Sequence, residues 1–284
     1  MSILKKYIEE DLKSLYKNNY VENAKLLNEQ MGADLFCENM LPGYFCGDEK
    51  AKTVMVMLNP GAEDKDFSFS KTAKQNFEDM HEFINKFIND SINYGENDIE
   101  RQDNFDLKQA AFLHYFENTG INIQEYFWTL DNGSKLTAKR NVLMQKLQLE
   151  LVPYPSRKFE GMFDSVKHAV NNFKFIEQHI NRLLNVITEY DRNYVIFASK
   201  NFQQIFKAME KLGYEVEVGK EESVSGIMKN KLYAITVKIK HNDKEIKGII
   251  ARSFPNQALP NAYEKMSKYG KFCYELSKLP LRKL

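Results

Sequence analysis

The apolar run Thr53-Val54-Met55-Val56-Met57-Leu58 is cut off by Asn59-Pro60-Gly61. Six apolar or β-branched residues without alternation describe a strand covered on both faces, and the proline and glycine behind them forbid its continuation. Such strands belong to sheets with helices packed on either side, where ligands bind beyond the strand ends. Asn59 thus presents a carboxamide at a favoured position for chemistry, although Asn, Pro and Gly are also ordinary turn punctuation.

The rest of the chain repeats the theme of strand, corner and helix. Ile3 to about Glu29 carries apolar residues at helical spacing, as does Lys74 to Tyr94, where Gly95-Glu96-Asn97-Asp98 ends the pattern. Asn97 to Asp106 and Thr119 to Leu136 read as loops around a short helix near Ala110 to Phe116, with Trp128 more at home in a core than in a site. Leu147 to Val152 alternates and stops at Pro153-Tyr154-Pro155-Ser156, which predicts a second strand and an extended corner. A helix over Val166 to Tyr190 precedes the short buried strand Tyr194 to Ala198, the corner Ser199-Lys200-Asn201 and a helix ending at Gly213. Leu232 to Lys240 and Ile246 to Ser253 form a hairpin around His241-Asn242-Asp243-Lys244. The return strand runs into Phe254-Pro255-Asn256-Gln257-Ala258-Leu259-Pro260, and a closing helix spans about Asn261 to Leu276. Tight alternation of this kind predicts parallel strands joined by crossover helices, with four corners on one rim.

Composition narrows the function classes. A length of 284 residues with 43% hydrophobic and 28% charged content suits one α/β domain. The expected layout is a helical extension over 1–50, a core over 51–276 and a basic tail over 277–284. No apolar stretch approaches a spanning helix and the start of the chain has no signal-like segment, so the expected location is cytoplasmic, away from membranes. Cys37, Cys46 and Cys273 are too few and scattered for a disulfide framework or a four-thiolate cluster. The five histidines show no zinc spacing, and neither a nucleophile elbow nor a phosphate-binding glycine loop nor a dinucleotide fingerprint occurs. No cofactor or metal is expected. A formal net charge of +1 leaves any nucleic-acid surface to a local basic patch.

Four strands ending at Asn59-Pro60-Gly61, Pro153 to Ser156, Ala198-Ser199-Lys200 and Ser253 to Asn256 resemble the uracil-DNA glycosylase superfamily, above all its mismatch-specific branch. That branch opens on a strand followed by an Asn-Pro-Gly corner and closes on a polar-Pro-polar motif with a wedge residue. The likeness covers about Lys52 to Met266 in order and topology, through fewer than a dozen specific residues. It implies a three-layer α/β/α fold around a mainly parallel four-stranded sheet, with a β-hairpin and an N-terminal helix added.

The resemblance also implies an activity, hydrolysis of the N-glycosidic bond of a damaged, mismatched or modified base flipped out of DNA for repair by base excision. Asn59 would orient water, with Asp64 and Asp66 as backup activators. Phe67 or Phe69 would stack on the base, Tyr154 being the alternative floor. Pro60, Gly61, Ser156, Ser199, Phe254, Asn256 and Gln257 would line the pocket, Leu259 would wedge the duplex, and Lys158, Lys200, Arg252 and Lys265 would meet phosphates. Two features depart from the family. Phe254 stands where relatives carry His or Asn, and Leu259 is one residue off the usual spacing. The iron-sulfur branch needs four thiolates and this chain has three. Two further readings are a non-catalytic nucleic-acid or nucleotide-binding relative and a protein-interaction module built on rim aromatics.

Overall fold

The computed structural model describes residues 2–61, 74–93, 104–117, 145–156, 159–225, 232–252 and 262–281. The chain is mixed α/β. Its seven strands are β1 (Phe45–Gly47), β2 (Thr53–Met57), β3 (Lys146–Glu150), β4 (Tyr194–Ala198), β5 (Val216–Val224), β6 (Leu232–His241) and β7 (Lys244–Ala251). The helices are α1 (Ile3–Asn18), α2 (Glu22–Met31), α3 (Met80–Ile92), α4 (Asn104–Glu117), α5 (Val166–Glu189), α6 (Asn201–Lys211) and α7 (Ala262–Ser277), with a 3-10 turn at Phe159–Phe163 before α5.

All seven strands join one mixed sheet in the order β1-β3-β2-β4-β7-β6-β5. The β2 strand lies parallel to both β3 and β4, and β4 lies parallel to β7, while β1, β5 and β6 pair antiparallel. The hairpin is part of the main sheet, because β7 is at once its return limb and a parallel neighbour of β4. Asn242 and Asp243 both adopt positive φ (48° and 60°), the conformation of a two-residue hairpin turn whose twist matches the strands.

Alternating side chains send the two sheet faces into separate cores. Val54, Val56, Leu147, Leu149, Val195, Phe197 and Ile250 face one core, filled from α1, α2, α3, α5 and α6. Met55, Ile196, Ala198, Ile249 and Ala251 face the other, filled from α4 and α7. Close backbone approach joins these last two helices. A Cβ on Gly270 would stand 2.0 Å from the Phe112 carbonyl oxygen, so only glycine fits there. Among the described residues no helix is long and apolar enough to cross a membrane, and the three cysteines form no disulfide.

Several element boundaries differ from the sequence expectation for identifiable reasons. The first amphipathic stretch breaks into α1 and α2, because Asn19 takes the left-handed conformation (φ 65°) and its N–H caps the Leu15 carbonyl. The short helix near Ala110 runs over Asn104–Glu117; Lys108 to Leu113 are buried without interruption, so no polar face marks its period. The edge strands escaped notice altogether. β1 has three residues, and β5 carries Lys220-Glu221-Glu222 with a register shift between Val218 and Glu221, the charged and bulged character that keeps an edge from recruiting other strands.

Candidate functional site

The course of the chain through the sheet singles out one place. From β2 it passes to β3 on one side, then returns across to β4 on the other, so the order reverses at β2. In open α/β sheets the crevice beyond the carboxyl ends at such a reversal is where ligands bind. Here the two ends in question are Asn59-Pro60-Gly61 and Ser199-Lys200.

Hydrogen bonds zip the first corner to the corner after β3. The amides of Leu151, Val152 and Ser156 donate to the carbonyls of Met57, Leu58 and Pro60, and Gly61 bridges Ser156 in parallel. Gly43 closes the other side, its N–H donating to Pro153 O at 2.7 Å. A Cβ at Gly43 would come within 2.6 Å of the Pro60 ring, which makes the glycine a requirement of this packing. Within the corner the Asn59 side chain is half-buried and held by its Nδ2, which donates to Pro60 O at 3.0 Å and to Tyr154 O at 3.3 Å. With the amine end turned to two carbonyls, the Oδ1 end accepts from none of the described residues.

The other sites expected from sequence separate into three groups. Ser156 and Ser199 are buried, and Ser199 Oγ accepts from the N–H of Asn201, the first residue of α6, at 3.2 Å. Lys200 is exposed beside it, Arg252 is half-buried with its N–H donating to Tyr269 Oη at 2.8 Å, and Lys265 lies half-buried on α7. Asp64, Asp66, Phe67, Phe69, Lys158, Phe254, Asn256, Gln257 and Leu259 lie outside the described residues.

Tyr154 requires a correction. A stacking floor needs an open ring face, but this ring is 1% exposed, edge-on to Phe36 and His179 at centroid distances of 6.2 and 5.6 Å. It belongs instead to a buried polar cluster that the sequence reading missed. Tyr44 donates to Asp11 and accepts from Arg182 Nη1 at 3.0 Å, and Asn23 Nδ2 donates to Asp11 Oδ1 at 2.6 Å. Burial pushes the Asp11 carboxyl up, opposed by the Tyr44 hydrogen bond and the Arg182 charge. Burial also raises Tyr154, helped by the Asp11 charge, and drives His179 down to about 3, helped by Arg182. Tyr154 Oη lies close enough to feel both charges, yet no hydrogen bond of acceptable geometry reaches it. Asp11 and His179 were detectable in the sequence. Each sits three residues past an isoleucine on the apolar stripe of its helix, Ile8 and Ile176.

Beside Pro60 opens a cleft of about 410 Å³ between β1, β3, α3 and α4, walled by Leu41, Phe45 and Phe87 and floored by Gln109, Gln148 and Glu150. A larger cavity of about 600 Å³ lies at the opposite edge, around the amino end of β4, away from every corner named above. In the smaller cleft Lys146, Gln148 and Glu150 form a polar ladder. Lys146 Nζ donates to Gln109 Oε1 and to Gln148 Oε1, and Gln148 Nε2 donates to Glu150 Oε1 at 3.2 Å. The other oxygen, Oε2, is buried with no partner. Burial raises the Glu150 carboxyl to about 8, against smaller opposing effects of Gln148 and Lys146, so it is largely uncharged at neutral pH. Its signal lay in the alternation Lys-Leu-Gln-Leu-Glu, odd in a strand with parallel pairing, where apolar runs are the rule. Among the described residues no cluster of side chains is arranged to hold a metal ion. Compared with known proteins, the chain matches no family model and no curated relative.

Proposed function

We propose that this protein is a DNA N-glycosylase of the uracil-DNA glycosylase type, a hydrolase that removes an extruded base. The proposal takes the fold as three α/β/α layers around a mainly parallel four-stranded centre. The observation that carries it is Asn59 at the reversal of strand order, with Nδ2 fixed by the Tyr154 carbonyl and Oδ1 open.

An amide held in this way orients a water molecule without removing its proton strongly. Such a reaction relies on stabilising the departing base anion and the cationic sugar, the electrostatic contribution that dominates where no strong base acts. Extruding the base costs a few kcal/mol of stacking, least for a mispaired or damaged base, which favours those substrates. Lys200, Arg252 and Lys265, with Lys158, supply the phosphate contacts, and the aromatic floor falls to Phe67 or Phe69 now that Tyr154 is accounted for. A non-catalytic nucleotide-binding relative is the second reading, favoured by Phe254 in place of the polar residue that would grip the base.

The test is incubation of purified protein with oligonucleotides carrying uracil, mispaired thymine or other modified bases, followed by detection of abasic sites. The wild type yields product, and Asn59→Ala loses about a hundredfold or more of that rate. Equal product from both proteins would remove Asn59 from the mechanism. Binding that weakens steeply with salt, without product, would favour the second reading.

A further inference from the structure

We propose that the cleft between β1, β3, α3 and α4 is a binding site for a neutral, planar nitrogen heterocycle that carries an N–H beside a hydrogen-bond acceptor. The proposal starts from an unmet need. A buried carboxyl oxygen without a partner is uncommon in folded proteins, and Glu150 Oε2 is one, at the floor of a cleft of about 410 Å³. A glutamate carboxyl turns readily about its last torsion, which is broad and two-fold, so a ligand in the cleft reaches it without any backbone movement.

The chemistry of the floor selects the ligand. A protonated carboxyl donates from one oxygen and accepts at the other. Glu150 Oε1 already takes one bond from Gln148, with lone-pair capacity remaining, so the group offers a donor and an acceptor side by side. The complement is an amidine or lactam edge. Gln109 stands beside this pair, its Oε1 taken by Lys146. The Phe45 and Phe87 rings and the Pro60 ring in the walls suit a flat body. A cation is disfavoured, since Lys146 stands behind the ladder.

The charged and titratable groups around the carboxyl are Lys146 on its own strand, Cys46 on β1 and Asp90 on α3, while the α4 contribution, Gln109, is neutral. Below about pH 8 the carboxyl keeps its proton and can donate; above it the carboxylate repels a ring acceptor. Pro60 is common to this cleft and the base-excision corner, but Asn59 is not among the residues that line the cleft.

Calorimetric titration with free cytosine and free adenine, at about pH 6.5 and about pH 9, tests this. Wild type binds at the lower pH and loses about tenfold in affinity at the higher, where roughly a tenth of the carboxyls stay protonated. Glu150→Gln, whose carboxamide donates at every pH, binds at both with little change between them. 1,N4,N4-trimethylcytosine, which carries no N–H at all, binds wild type at least about tenfold more weakly than cytosine. Asn59→Ala binds like wild type even if base excision is abolished or never existed. Absence of saturable binding to wild type at the lower pH overturns the site, as does a Glu150→Gln protein that keeps the wild-type dependence on pH. Far-UV circular dichroism confirms that each variant is folded.

Discussion

Replacing Glu150 by glutamine should flatten the fall of stability with pH above neutrality. The folded chain holds the Glu150 proton to about pH 8, whereas an unfolded glutamate releases it near the ordinary value of 4.5. Between those values the folded state binds the extra proton, so this group's stabilising contribution is complete below about 4.5 and disappears as pH rises through about 8. His179 acts in the opposite sense. Its folded value of about 3 lies below the ordinary 6.5, so its contribution is complete above 6.5 and is lost as pH falls. The two oppose each other between about 4.5 and 6.5, and above 6.5 the His179 contribution is complete. From pH 6.5 to 8.5 wild type therefore loses about 2 kcal/mol, one and a half pH units at roughly 1.4 kcal/mol each. Glu150→Gln keeps the Gln148 hydrogen bond without the proton and loses almost nothing over the same interval. Urea unfolding at half-unit pH steps, with the slope on denaturant checked for constancy, measures both curves. Parallel curves for the two proteins between pH 6.5 and 8.5 would refute a buried, uncharged carboxyl at this position.

Four other outcomes follow from the packing. In His179→Leu the opposing titration is gone, so between about pH 4.5 and 6.5 the slope of stability against pH shifts toward loss by up to about 1.4 kcal/mol per unit relative to wild type, again read by urea unfolding. Asp11→Ala leaves the Tyr44 hydroxyl and the Asn23 amide without their acceptor and is expected to cost about 1 to 3 kcal/mol, visible as a lower urea midpoint. Gly270→Ala drives a methyl into the Phe112 backbone at 2.0 Å and should cost about 3 kcal/mol or more. Gly248→Ala meets the Phe197 ring at 2.8 Å and the Val195 carbonyl at 3.0 Å, which the ring can partly relieve, for a loss of about 1 to 3 kcal/mol by the same measurement.

What the sequence disclosed, and what it hid, followed from how strongly each residue's neighbours constrain it. Thr53 to Leu58 with Asn59-Pro60-Gly61 announced a buried strand and its stop without any partner in view, and the strand lies between β3 and β4. Asn242-Asp243 likewise specified its own turn through local backbone preference. The failures were non-local. Tyr154 between two prolines read as part of an extended corner and an alternative floor for a base, and only the arrival of α1 and α5 over it, bringing Asp11, His179 and Arg182, makes it interior. β5 is charged enough to pass for a loop and becomes a strand through its pairing with β6. Glu150 gains its character from the closure of α3 and α4 over the outer strands, far along the chain from its own neighbours.

Because β7 serves both the hairpin and the parallel neighbourhood of β4, the two left-handed residues at 242 and 243 act as a phase setter for the rim. Ala234 stands opposite Ala251, and Ala251 stands opposite Ala198, so the count from that turn governs which residue ends beside the Ser199 corner. One residue inserted at the tip would exchange the faces of Ile249 and Ile250, sending each toward the wrong core, unless the strand bulged to absorb it. A distant surface turn thus carries a veto over the alignment of Arg252, and length variation there should be tolerated far less than its exposure suggests.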